Sequence, residues 1–229
     1  RWKRGTKAAR ARRTASVGAP DAEAESVLDE LRHLGTEQCR AAYRRQGVGG
    51  ETLGVSPVAL ARLRKRIKRN HALALGLWRT GAYDARILAT LIADPAELEA
   101  STADTWVRDL DNCALADAFG ALVAASPLAR ARMERWAAAK GEWAGRTGWT
   151  LVGLLATNDR ELPDGLFEPY LARIERDVRF ARIRVREAMM RALAAIAGRD
   201  PALEAAAAAA AKRIGKVESD HGETGGRSP

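Results

Sequence analysis

The chain has 229 residues, enough for one large domain or a continuous array of repeats, and 47% of them are hydrophobic, so a real core is available. Two cysteines without a CxxC, three scattered histidines and no apolar run near a membrane span's length argue against a disulfide framework, a zinc site or a transmembrane helix. The formal net charge is +9, but Arg1 to Arg13 carries seven Lys/Arg and no acid, which leaves only +2 on the rest. Any basic surface on the body is therefore a local patch. Residues 1–20 read as a basic disordered arm and 217–229 as a polar, glycine-rich tail. With no signal-peptide pattern, the protein reads as soluble and cytoplasmic.

Between the arm and the tail, residues 21–216 read as one helical domain. Alanine and leucine dominate the apolar set and β-branched residues are sparse, which favours helix. Asp21 to Leu34 and Thr36 to Arg45 are amphipathic. Gly47 to Gly54 is glycine-rich but lacks the Lys-Ser/Thr ending of a phosphate loop, so it reads as a turn between helices. Ser56-Pro57 starts a helix running to about Arg69, with Ser as N-cap and Pro at the first helical position. Helices over His71 to Arg79, Tyr83 to Ala93 and Thr102 to Leu110 follow. Asn112 to Ala125, Pro127 to Ala139 and Gly141 to Ala156 come next. Asp164 to Val178, Arg182 to Ala197 and Pro201 to Ile214 complete the set. Short breaks make neighbours antiparallel. Helix pairs recurring at roughly 35 to 45 residues predict an all-α fold, an α-solenoid of HEAT-like pairs, with an irregular bundle as the alternative.

Asp117 lies one turn after Cys113 inside an apolar helical run, so the two share a face. A carboxylate there costs free energy unless something pairs it or uses it. Arg146 sits similarly in a later helix, with Trp143 and Trp149 three residues to either side. The pattern supports two readings: an Asp-Arg pair bracing two helices, or a carboxylate and a guanidinium facing a groove lined by indoles. Arg173, Arg176, Arg179, Arg182, Arg184 and Arg186 fall within fourteen residues, and Arg62 to Arg69 is a second basic cluster. They read either as a stripe for phosphates or as solvated helix faces with i,i+4 pairs such as Glu175–Arg179. Trp78, Trp106 and Trp136 read as packing residues. Met189, Met190, Cys39 and Cys113 read as core.

Several stretches resemble the DNA alkylation repair family, the AlkD-like glycosylases. They are His71 to Gly81 (HALALGLWRTG), Asp84 to Ala89 (DARILA), Trp106 to Asp117, Glu142 to Arg146 and Ile214 to Glu218. The resemblance spans about Ala41 to His221. It implies a HEAT-like solenoid that grips double-stranded DNA and releases N3- or N7-alkylated purines, using an acid, an arginine and two tryptophans. It implies no cofactor, no metal, no membrane, a monomer, and association with the nucleoid when bound to DNA. The acid corresponds to Asp117 and the arginine to Arg146. Cys113 and Arg191 stand where the tryptophans would be, and Ala114 where relatives often carry a second acid. On this reading Asp117 stabilises an oxocarbenium-like sugar or positions water, and Arg146 holds a phosphate. Cys113, Trp143, Trp149, Arg176, Arg179, Arg182, Arg184, Arg186 and Arg191 form the expected DNA-binding set. A catalytically inactive HEAT-like scaffold that binds DNA or a protein is the other reading.

Overall fold

The computed structural model describes residues 19–215, and the expectations for the basic head and the polar tail lie outside them. Twelve α-helices run through the described residues, joined by short turns, and no strand occurs among those residues. They gather into two compact units, one up to Leu122 and one from Val123.

The first unit begins with α1 (Ala19–Leu34), α2 (Glu37–Arg45) and α3 (Pro57–Ile67). It continues with α4 (His71–Arg79), α5 (Tyr83–Ile92) and α6 (Ala100–Trp106). α7 (Cys113–Ala124) follows, and the division between the units falls within its last turn. Side-chain caps start the helices where the sequence offers them. Thr36 accepts from the Cys39 amide, Ser56 from Ala59 and Asn70 from Leu73, each satisfying a donor that the first helical turn leaves free. α1 packs on α4, and α5 packs on both α3 and α4. Trp78 and Trp106 stack face to face, their centroids 4.0 Å apart. The Trp78 indole N–H donates to Asp109 at 2.8 Å. These tryptophans and Trp136 are packing residues, as their sequence setting suggests.

The glycine-rich segment after α2 is held by one carboxylate. Asp84, fully buried at the start of α5, accepts from the backbone N–H groups of Leu53 (2.6 Å), Gly54 (3.3 Å) and Val55 (2.7 Å), and from the Thr52 hydroxyl (3.0 Å). A buried carboxylate is tolerable when several donors surround it. Gly54 has φ +79°, and a Cβ there would lie 2.4 Å from the Thr36 carbonyl oxygen, so only glycine fits.

The second unit comprises α8 (Ala129–Ala137), α9 (Glu142–Asn158), α10 (Glu168–Asp177), α11 (Ile183–Ala197) and α12 (Pro201–Ile214). Here α9 packs on α8 and α11, while α12 packs on α10 and α11. The pairs α9 with α11 and α10 with α12 are next-but-one neighbours, the stacking of a helical repeat array. Glycines on α9 permit the close approach. A Cβ at Gly148 would lie 2.0 Å from the Ala137 amide nitrogen at the end of α8, and one at Gly145 would touch Val185 of α11.

Helix ends differ from expectation by up to four residues, with local causes. The helix expected from Pro127 begins at Ala129, because the Ser126 hydroxyl donates to the Val123 carbonyl and accepts from the Leu128 amide, turning the chain first. The helix expected from Asp164 opens as a short 3-10 turn, and α10 proper starts at Glu168.

Candidate nucleic-acid interface

α7 starts at an asparagine cap: the Asn112 side-chain oxygen accepts from the Leu115 amide at 2.9 Å. Cys113 is its first residue and Asp117 follows one turn later, both half-buried. Cys113 is a free thiol, and neither it nor Cys39 is in the core. That differs from the expectation for small apolar residues, and at Cys113 the reason is its place in the first turn of the helix, between buried Asn112 and exposed Ala114.

Arg146 belongs to the second unit, on α9, and is only 2% exposed. Its Nη1 donates to the Arg184 carbonyl at 3.1 Å and to Glu187 Oε2 at 3.1 Å. The other oxygen of Glu187 accepts from Arg184 Nη1 at 3.3 Å, and its backbone carbonyl accepts from Arg191 Nε at 3.4 Å. Glu187, on α11, thus gathers Arg146 from α9 and Arg184 and Arg191 from its own helix. The sequence offered it only as an acid diluting a basic run. A carboxylate among arginines at helical spacing was the available signal. The arrangement fixes Arg146 against α11, with its guanidinium charge partly offset by a half-exposed carboxylate.

Trp149 is 2% exposed, packed edge-on against Tyr170 with the Arg173 guanidinium 5.3 Å above its ring. It is a core residue of the second unit and offers no indole face to solvent. Trp143, in the first turn of α9, is half-buried and is the only tryptophan among the described residues outside the core.

Between Arg173 and Arg191 seven arginines meet three acids. They do not form a uniform stripe. Arg173 donates to the Ala137 carbonyl. Arg179 donates to the carbonyls of Arg213 and Ile214, closing the end of α12. Arg186 reaches the carbonyls of Arg179 and Ala181. The i,i+4 pair expected between Glu175 and Arg179 is not made. Glu175 instead meets Arg213, with Nη2 to Oε2 at 2.9 Å, because the helix end beside Arg179 offers carbonyls to a guanidinium.

Three arginines remain with their heads in solvent. Arg182 stands at the N-cap position of α11 without capping it through its side chain, which is 68% exposed with Glu142 4.0 Å away. Arg184 is half-exposed beside Glu187. Arg176 is exposed against its neighbour Asp177, whose carboxyl it holds below the usual range by hydrogen bonding. The result is a cationic turn between α10 and α11. In the first unit, Arg62, Arg64, Lys65 and Lys68 are exposed along and just after α3, while Arg66 pairs with Glu30. No group of three or more His, Cys, Asp or Glu side chains suited to a metal occurs among the described residues.

Stacked helix pairs and arginine-rich turns define a HEAT-like, all-α protein. The chain belongs to the DNA alkylation repair enzyme family, whose profile matches residues 27–218. A solved structure matches it with a TM-score of 0.78 and 27% identity, covering 83% of each chain. That protein is described as one of a new family related to the HEAT-like repeat DNA glycosylases, with affinity for branched DNA structures. A search of curated protein sequences found no match. No described helix is long and apolar enough to cross a membrane.

Proposed function

We propose that this chain binds DNA by structure, through the cationic turn between α10 and α11, and that base excision is weak or absent. The observation that carries the reading is the set of solvent-facing arginines Arg176, Arg182 and Arg184 on one short segment whose other arginines are engaged as structural clamps. A guanidinium in solvent matches a phosphate in shape and charge. Support also comes from family membership and from the structural relative's affinity for branched DNA. No metal or cofactor enters the reading, and the protein acts as a monomer.

A second reading, release of N3- or N7-alkylpurines, is favoured by Asp117 and Arg146, which stand where the resemblance puts the family's acid and arginine. Excision of a cationic base gains from indole faces. Cys113 and Arg191 occupy those positions, Trp149 is buried, and a guanidinium at Arg191 repels a cationic base.

The test pairs two measurements on the same protein. Equilibrium binding to linear and branched duplexes is expected to show salt-dependent affinity for both, higher for the branched form. Single-turnover release of N7-methylguanine is expected to be at background, and unchanged in Asp117→Asn. Release by the parent that disappears in Asp117→Asn would establish the glycosylase reading instead.

A further inference from the structure

Phe180 is 87% exposed, the most exposed large apolar side chain among the described residues. A lone apolar residue on a surface needs no explanation by itself. Two observations set this one apart: the rigidity of its backbone and the charge around it.

The turn that carries Phe180 is tied on every side. The amides of Phe180 and Ala181 both donate to the Asp177 carbonyl, each at 3.0 Å. Val178 just before is fully buried. Arg179 is clamped to the end of α12, and Arg186 donates to the carbonyls of Arg179 and Ala181, the two residues flanking Phe180. The ring is therefore presented from a preorganised frame, so little backbone freedom is lost if it meets a partner. Arg176, Arg182 and Arg184 lie within four positions of Phe180 in the chain, their side chains exposed and each beside a single carboxylate.

A flat apolar ring on the same short segment as exposed arginines suits a polyanion that displays flat apolar faces. Intact duplex has every base face stacked, so a wedge there must first unstack a step. At a branch point the stack is already interrupted, and an aromatic ring meets a base face without that cost. We propose that Phe180 is a stacking wedge that takes the exposed base face at a DNA branch point, with Arg176, Arg182 and Arg184 on the adjoining phosphates. This rests on the DNA-binding reading above and adds to it the element that discriminates branched from linear DNA.

The experiment uses the full chain and its Phe180→Ala, Phe180→Trp and Arg182→Ala variants. Each is titrated by fluorescence anisotropy against a three-way junction and a linear duplex of the same arm sequence, in one buffer. Because Phe180 is exposed, Phe180→Ala is expected to melt like the parent. Its junction affinity is expected to fall about tenfold or more, and its duplex affinity to stay within about twofold. Phe180→Trp restores the junction preference, and Arg182→Ala weakens both substrates together. A Phe180→Ala protein that keeps its junction affinity, or loses both affinities equally, overturns the wedge while leaving DNA binding in place. A parent protein that binds neither substrate overturns the DNA-binding reading and the wedge with it.

Discussion

Tyr83 lies edge-on to Tyr43, with ring centroids 5.0 Å apart. Its hydroxyl pKa is pushed up to about 12, first by burial and then by the Asp84 and Asp111 charges. Tyr43 is shifted the same way, chiefly by burial. The fold thus favours the protonated phenol, whereas a tyrosine in the unfolded chain ionises near pH 10, roughly the model-peptide value. The sign follows from linkage: this stability is fully present below about pH 10 and is lost as pH rises through the folded value. Thermal unfolding followed by circular dichroism is expected to show a melting temperature that falls between about pH 10 and 12. Tyr83→Phe removes one ionising group, so the decline in that window should be shallower. An identical decline in the variant would place the alkaline sensitivity elsewhere. On the acid side, Glu30 and Glu175 are held below the usual carboxylate range by hydrogen bonds from Arg66 and Arg213. Their stabilisation is lost as pH falls through those lowered values.

Individual arginines act on whole elements. The Arg199 side chain is 1% exposed and lies over the Phe167 ring at 4.5 Å. It donates to the carbonyls of Ala156, Asp159 and Leu162 and to the Asp164 carboxylate. One guanidinium thereby closes the end of α9 and holds the segment that leads to α10. Arg160 answers it by donating to the carbonyls of Gly198 and Arg199 at the end of α11. Such clamps satisfy the last carbonyls of a helix and complement its dipole. Arg199→Ala leaves several carbonyls without donors and should cost about 3 kcal/mol. For a chain of this size that lowers the melting temperature by roughly 6–12 °C. Arg199→Lys, which keeps the charge but not the planar fork, should lose most of that too. A drop of a degree or so in both would show that the clamp is dispensable.

The same clamps explain what could be read in the sequence. His71 to Arg79 and Pro201 to Ile214 end where caps and glycines suggest, since those signals act within a turn or two of their own residues. Arginine roles were not legible in this way. The carbonyls that hold Arg179 lie 34 and 35 residues away, and the residues joined by Arg146 to Glu187 lie 41 apart. Nothing in a local window marks one arginine of a cluster as a clamp and the next as free.

At the scale of the molecule, the charge that matters is the part left over after folding. The body carries little net charge, and most arginines of the second unit are spent on carbonyls and carboxylates. DNA affinity should therefore depend on salt through a small number of contacts. Measured as the slope of log affinity against log salt, Arg182→Ala is expected to reduce the slope by about one contact on any duplex. Arg179→Ala should instead lower the melting temperature, because its guanidinium closes α12. A reduced slope in Arg179→Ala with unchanged stability would reverse those assignments.

The all-α class, the order of the helices and most of their ends were set by the sequence alone, because helix propensity, capping and apolar periodicity are local properties of a chain. So was the likeness to the DNA alkylation repair family, carried by short runs such as Leu77 to Ala89. Tertiary structure decided the rest. Trp149 went to the core and Glu187 became the partner of Arg146. Asp84 came to hold a loop some thirty positions earlier. Phe180, one unremarked residue in a basic run, was left in solvent on a fixed turn. These outcomes depend on which helix faces meet, and burial and pairing between distant segments arise only when the helices stack.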